Sequence, residues 1–313
     1  MRRLWLPWVV VLLTTVLMSD GCTRTGSSLG ELPSGDPSTS PTASAITSWV
    51  YQLQRYQDGR LDALAGTSHQ LAVIDLARDA GTDFFRPQEV AALRRSGKKV
   101  LAYFEIGSIE EFRPEYGPLR SQAGDLILNR WSDWPDEHFV RYWDHRWWDR
   151  VIRPRLDRAL AAGFDGVYLD TPLAYEELDL ALVPGADRDR LGREMVDLIA
   201  RISSYAKAKR PGFWIFPQNS PELRRYPGYE AAIDGIGVEE LFFEATDEPC
   251  VQDYCAENLD AVRALRAAGK LVLAVDYATR PANVRAACDR YRAERFAGYV
   301  GRRALDRISP PCS

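Results

Sequence analysis

Gly163-Phe164-Asp165-Gly166-Val167-Tyr168-Leu169-Asp170-Thr171 holds three signals in one short run. Gly163 follows the amphipathic stretch Trp143–Ala162 and suits the position after a helix end, where the backbone turns left-handed. Gly166–Asp170 is β-branched and aromatic, hence a strand, and it ends on a carboxylate. A helix feeding a short buried strand through a tight turn is the repeat of a parallel α/β fold.

The same grammar recurs along the chain. Candidate strands are Trp49–Gln54, Leu71–Leu76, Val100–Ile106, Gly166–Asp170, Phe213–Gln218, Gly235–Glu239, Leu271–Tyr277 and Gly298–Arg302. Between them lie candidate helices at Pro87–Ser96, Trp143–Ala162, Arg188–Lys209, Pro221–Glu230, Asn258–Ala268 and Pro281–Arg295. Ser96-Gly97-Lys98-Lys99 and Ala268-Gly269-Lys270 repeat the helix stop seen at Gly163. Eight such units in about 265 residues match a single (β/α)8 TIM barrel, a domain placed at 47–313. No G-x-G-x-x-G or P-loop is present, so no nucleotide cofactor is expected.

A barrel does its chemistry at the C-terminal ends of its strands. Those ends carry Asp75, Glu105, Asp170, Gln218 with Asn219, Glu239 with Glu240, Asp276, and Arg302 with Arg303. Any one carboxylate there can equally be a helix cap or half of an ion pair. Alternation along a strand then sorts them. Tyr168 and Asp170 share a face opposite Val167 and Leu169, which suit the outer helices. Gly235, Gly237 and Glu239 share a face that fits a crowded interior, which sends Glu240 outward. The same reasoning places Asp75 inside with Val73, and Asp276 inside with Val272 and Ala274. Asp170 and Glu239 thereby face one barrel mouth, the arrangement glycoside hydrolysis needs: one group to attack or activate water, the other to protonate the departing oxygen.

Gly163–Thr171, Pro217-Gln218-Asn219, Gly235-Ile236-Gly237-Val238-Glu239-Glu240-Leu241-Phe242 and Val275-Asp276-Tyr277-Ala278 together resemble glycoside hydrolase family 114. These are the endo-α-1,4-polygalactosaminidase-like TIM-barrel proteins, and the likeness runs from about Trp49 to Ile308, including Trp143-Asp144 and Trp147-Trp148. The resemblance implies an exported, endo-acting, retaining hydrolase of α-1,4-linked galactosamine polymers. Asp170 would be its nucleophile and Glu239 its general acid, then base. The competing reading is a non-catalytic lipoprotein on the same barrel that binds glycans or assists envelope assembly.

Substrate contacts are expected from Tyr51, Tyr168, Gln218, Asn219 and Tyr277, and from Asp75 and Asp276, which can orient hydroxyls or bind an ammonium. Against these stand core packing for Tyr51, loop capping for Asn219, and pairing of the two aspartates with Arg302 or Arg303. Glu105 stands where a small polar residue is expected in relatives. Trp143 and Trp147 are four apart on a helix and suit burial, whereas Trp131 and Trp134 fall in a loop above the site and suit sugar stacking. Glu244, Asp247, Glu248, Asp253 and Glu257 form an acidic run after the sixth strand, read either as a solvated loop or as an attraction for a cationic polysaccharide.

The rest of the composition bounds partners and location. Forty Lys plus Arg against 44 Asp plus Glu leave a net charge of −4 and no basic field, so nucleic acid is not an expected partner. Three histidines, His69, His138 and His145, lack ligand spacing, and no metal is expected. Met1-Arg2-Arg3 precedes the apolar run Leu4–Met18, and residues 1–21 read as an export signal. Cys22 after Gly21 resembles a lipoprotein box, giving a possible lipid anchor to membrane, although Ser19 and Asp20 depart from its preferred residues. Residues 22–46, rich in Ser, Thr, Pro and Gly, read as a flexible tether. Removing residues 1–21, with Arg2, Arg3 and Asp20, takes the net charge to about −5. With Cys22 set aside, four cysteines in an exported chain suggest two disulfides. Proximity favours Cys250 with Cys255, leaving Cys288 for Cys312. A monomer outside the cytoplasm, with a polysaccharide as its partner, is the overall expectation.

Overall fold

The computed structural model describes residues 46–244 and 246–312. The export signal, Cys22 and the tether through residue 45 lie outside the described residues. Eight parallel strands follow in chain order: β1 Trp49–Tyr51, β2 Leu71–Asp75, β3 Lys99–Glu105, β4 Gly166–Asp170, β5 Trp214–Pro217, β6 Gly235–Glu239, β7 Leu271–Tyr277 and β8 Ala297–Gly301. β1 to β5 form one hydrogen-bonded run and β8, β7 and β6 another. Isolated bridges, Ser48 to Gly298 and Gln218 to Gly237, join the two runs into a ring. The (β/α)8 barrel expected from strand count is the architecture found.

The strands are buried on both faces, as β2 shows with all of Leu-Ala-Val-Ile-Asp inaccessible, which is why they read as continuous apolar runs. The major outer helices are α1 Pro87–Arg95, α2, α3 Arg188–Lys209, α4 Asp253–Ala267 and α5 Pro281–Glu294. Here α2 is a rod of α-helix His145–Trp147, π-helix Trp148–Ile152 and α-helix Arg153–Ala162. The segment expected as one helix at 221–230 is split into a 3₁₀ turn, Pro221–Arg225, and a short helix, Tyr229–Ala232, with Gly228 at φ 93° between them.

The α2-to-β4 turn works as its sequence suggests. Gly163 is left-handed at φ 88°, and its N–H caps the carbonyls of Ala159 and Leu160. Asp165 then accepts from the Val100 N–H at 3.0 Å and from Arg94 Nε at 3.1 Å, which locks β4 beside β3. The barrel interior is filled rather than hollow: Trp49 packs on Tyr51, Tyr168 and Tyr299, and Tyr51 on Tyr103. Trp147 is buried as expected, its Nε1 donating to the Ile106 carbonyl at 2.9 Å, and Trp148 is buried beside it, whereas Trp143 precedes the helix and is only partly buried against the core.

One feature was not expected. Between β3 and α2 the chain builds a three-stranded antiparallel sheet from Ser108–Glu110, Ile127–Arg130 and Glu137–Val140, with helix Tyr116–Ala123 inserted. The strands are short and carry charges, so alternation is too brief to announce them. Trp131 and Trp134 lie in the turn of its 127–140 hairpin, above the barrel mouth.

Candidate active site

At the C-terminal mouth, Asp170 and Glu239 line one cavity of about 370 Å³. Both are the last residues of their strands, and the alternation that aimed them inward holds. Asp170 is held by two donors: the Tyr103 hydroxyl to Oδ2 at 2.6 Å and the Thr171 N–H to Oδ1 at 2.7 Å. Thr171 is itself left-handed at φ 61°, a sharp turn immediately after the strand. Burial, followed by the charge of Glu239, pushes the Asp170 carboxyl up to about 7.

Glu239 sits in a cradle of neutral donors. Gln218 Nε2 and Asn219 Nδ2 donate to its Oε2, the latter at 3.0 Å, and the Tyr277 hydroxyl donates to Oε1. Its own N–H donates back to Asn219 Oδ1 at 2.9 Å. Tyr51 donates to Gln218 Oε1 at 2.9 Å, which fixes the amide so that its NH₂ faces Glu239. Tyr51, Gln218, Asn219 and Tyr277 therefore all border the cavity as expected, and three of them position the carboxylate.

Three expected contacts are corrected. Asp276 points outward: β7 pairs Val275 with Glu239 and Leu273 with Gly237, so Tyr277 shares the inner face and Asp276 the outer. There it accepts from the Phe242 and Phe243 N–H groups and from the Tyr291 hydroxyl of α5. Asp75 faces inward but is sealed: it is 1% exposed and salt-bridged to Arg113 at 2.8 Å, and its partner is neither Arg302 nor Arg303. Tyr168 lies beneath the floor, fully buried, with its ring against Gly237. Glu240 is also redirected. Strand geometry ends at Glu239, and left-handed Glu240 at φ 56° turns back to border the same cavity.

The inserted sheet brings residues that strand-end reasoning missed. Glu110 and Glu137 line the cavity beside Asp170. Arg113 is shared among Asp75, Glu105 at 3.0 Å and Glu110 at 2.7 Å, so one guanidinium serves three carboxylates. Glu137 is 7% exposed and its carboxylate accepts from the Ser108 hydroxyl. Burial, then the charges of Asp170 and Glu110, pushes Glu137 up to about 9, and Glu110 is raised for the same kind of reason. Tyr103 was legible by alternation with Glu105, whereas Glu110 and Glu137 had no signal without the insertion. Trp131 packs on Phe139, and Trp134 is 46% exposed under the Arg303 guanidinium, 5.2 Å from its ring. Both tryptophans border the cleft.

Both disulfides form as expected, Cys250 to Cys255 and Cys288 to Cys312. Within the acidic run, Asp247 is structural: it caps the start of α5 through Thr279, Arg280 and Asn283.

The model of glycoside-hydrolase family GH114 matches residues 31–313. An uncharacterized protein of Deinococcus radiodurans is 36% identical over 278 residues, covering 88% of this chain and 87% of its own. A protein of Methanocaldococcus jannaschii is 30% identical over 236 residues, covering 73% of this chain and 66% of its own. Among solved structures, the glycoside hydrolase domain of PelA from Pseudomonas aeruginosa superposes with TM-score 0.66 at 19% identity, over 84% of this chain and 97% of that one. Aspergillus fumigatus Ega3 in complex with galactosamine gives TM-score 0.64 at 18% identity, over 88% and 98%.

Proposed function

Because this chain belongs to glycoside-hydrolase family GH114 and is a glycosidase, we propose that it cleaves an α-1,4-linked galactosamine-type polysaccharide internally, with Asp170 and Glu239 as its catalytic pair. The observation that carries this reading is that both carboxylates line one cavity at the barrel mouth, each fixed by its own donors. In the retaining course, an Asp170 oxygen attacks the anomeric carbon as the bond to the departing oxygen breaks and Glu239 gives that oxygen its proton. Glu239 then takes a proton from water, whose oxygen attacks the same carbon and releases Asp170.

The amino-sugar substrate has independent support. Glu110 and Glu137 are carboxyls in the cleft that burial and the charges of their neighbours hold protonated without substrate. An ammonium group beside them would favour their ionised forms, and the galactosamine seen with Ega3 carries one. Trp134 offers a stacking face.

A second division of roles is favoured by one observation. Without substrate Asp170 holds its proton to about pH 7, whereas Glu239 accepts from three neutral donors, which suits a carboxylate. In that reading Asp170 is the acid and Glu239 the nucleophile.

Azide separates the two. A truncated acid/base leaves the nucleophile free, so azide attacks the glycosyl-enzyme and yields a glycosyl azide of retained configuration. A truncated nucleophile lets azide displace directly, with inversion. Asp170→Ala giving the inverted product supports Asp170 as nucleophile; the retained product reverses the roles. Equal turnover by wild type, Asp170→Asn and Glu239→Gln on galactosamine polymers, with products read by mass spectrometry, would remove both residues from catalysis.

The cellular setting is part of the proposal. Residues 1–21 would direct export, with Cys22 lipidated and residues 22–46 tethering the catalytic domain 47–313 to a membrane as a monomer. Palmitate incorporation that disappears in Cys22→Ser tests the anchor; secretion without label would leave a soluble extracellular enzyme.

A further inference from the structure

Glu239 borders a second cavity, on the side away from the Asp170 cleft. This smaller space of about 200 Å³ is bounded by Asn219, Glu239, Glu240, Glu244, Tyr254 and Asn258. Asn219, Glu239 and Glu240 also line the main cleft, so the two cavities share these residues, the proposed catalytic glutamate among them.

Local backbone geometry opens this space. Asn219 and Ser220, just after β5, and Glu240, just after β6, are left-handed at φ 60°, 52° and 56°. The chain leaves both strands by sharp turns. The far wall is the start of α4. Cys250 and Cys255 bridge the segment that carries Tyr254, and Asn258 follows four residues later on the same helical face. The Tyr254 hydroxyl donates to Glu244, while the residue remains 50% exposed.

We propose that this cavity is a sugar subsite on the leaving-group side of the scissile bond, taking one further residue of the amino-sugar polymer. The inference rests on the proposed hydrolase reading with Glu239 as its acid, because the acid that protonates the departing oxygen stands between the reacting sugar and the departing one. Tyr254 supplies an aromatic face for the sugar ring, Asn258 an amide for its hydroxyls, and Glu240 and Glu244 carboxylates for an ammonium. A chain bound from Trp134 across Glu239 to Tyr254 is gripped on both sides of the cut bond, which is what internal cleavage requires.

The test is binding of α-1,4-galactosamine oligosaccharides of increasing length by titration calorimetry, in an Asp170→Asn background that prevents turnover. Affinity should climb with each added sugar until the cleft is full. Adding Tyr254→Ala should abolish one increment of that climb, weakening the longest ligands roughly tenfold while leaving the shortest unchanged. Asn258→Ala should reproduce a smaller loss, and Tyr254→Phe should retain the stacking increment. Length-dependent binding that neither alanine variant alters would overturn the subsite and leave the hydrolase reading standing. No binding at any length in the parent would overturn both.

Discussion

Tyr103 on β3 donates its hydroxyl to Oδ2 of Asp170 at 2.6 Å, across paired strands whose register sets Tyr103 beside Tyr168 and Glu105 beside Asp170. The bond favours the ionised carboxyl, opposing burial and the Glu239 charge, which raise its pKa. Tyr103→Phe removes the donor and little volume. The Asp170 pKa should rise above about 7, and the matching limb of the kcat/KM profile should move to higher pH. Turnover should fall about tenfold to a hundredfold, with KM changed less. An unshifted profile would assign Tyr103 to packing alone.

How far the site was legible follows from the same register. Strand alternation placed Asp170 and Glu239 correctly, because neighbouring strands at the mouth keep their side chains in step. It failed at Asp276, whose assignment was made within β7 alone. Gly237 paired with Leu273 gives the right parity, and that pairing is a tertiary fact. It failed at Glu240, where the strand had already ended. Asp75 was aimed correctly, yet its partner Arg113 comes from the segment between β3 and β4, whose fold short polar strands conceal. The eight strands were legible since each is a mostly apolar run, several closing on a polar residue; the insertion carrying Glu110 and Glu137 was not.

Glu137 predicts the pH dependence of stability. Its carboxyl is pushed up to about 9 from an ordinary 4.5, first by burial and then by Asp170 and Glu110. A carboxyl that holds its proton more tightly when folded stabilises the fold below its unfolded pKa, and that contribution is lost as pH rises towards the folded value. Asp170, raised to about 7, acts in the same direction. The Tm should therefore decline as pH climbs from about 5 to about 9. In Glu137→Gln the decline should be visibly shallower; a parallel curve would mean that the native carboxyl titrates normally.

The Cys288–Cys312 bridge spans 24 residues and ties the C-terminal segment to α5. That segment reaches the cleft, since Arg303 covers Trp134, the Leu305 carbonyl accepts from the Leu53 N–H, and the Ala304 carbonyl accepts from Gln54. Replacing both cysteines by serine should cost about 3 kcal/mol of stability, through the greater freedom of the unfolded chain. It should also raise KM for polymer, as Arg303 and Trp134 lose their fixed relation. A Tm drop with unchanged KM would limit the bridge to stability.

Gly237 links the barrel interior to Glu239, the proposed catalytic glutamate two residues beyond it. A Cβ at this position would lie 2.0 Å from the Tyr168 hydroxyl and 2.3 Å from its ring. Tyr168 has no room to yield, being fully buried against Trp49 and Tyr51. Gly237→Ala should therefore force the β6 backbone to move, at a cost of about 1–3 kcal/mol for an overpacked core. Because Asn219 N–H bonds to the Gly237 carbonyl at 2.7 Å and its side chain brackets Glu239, the shift should carry into the site. Activity should fall by more than the unfolded fraction explains, measured well below the variant's Tm. Combining Gly237→Ala with Tyr168→Val, which removes the obstructing ring, should recover part of the turnover, and the two stability losses should be less than additive. Strict additivity would show that the glycine serves some need other than room for Tyr168.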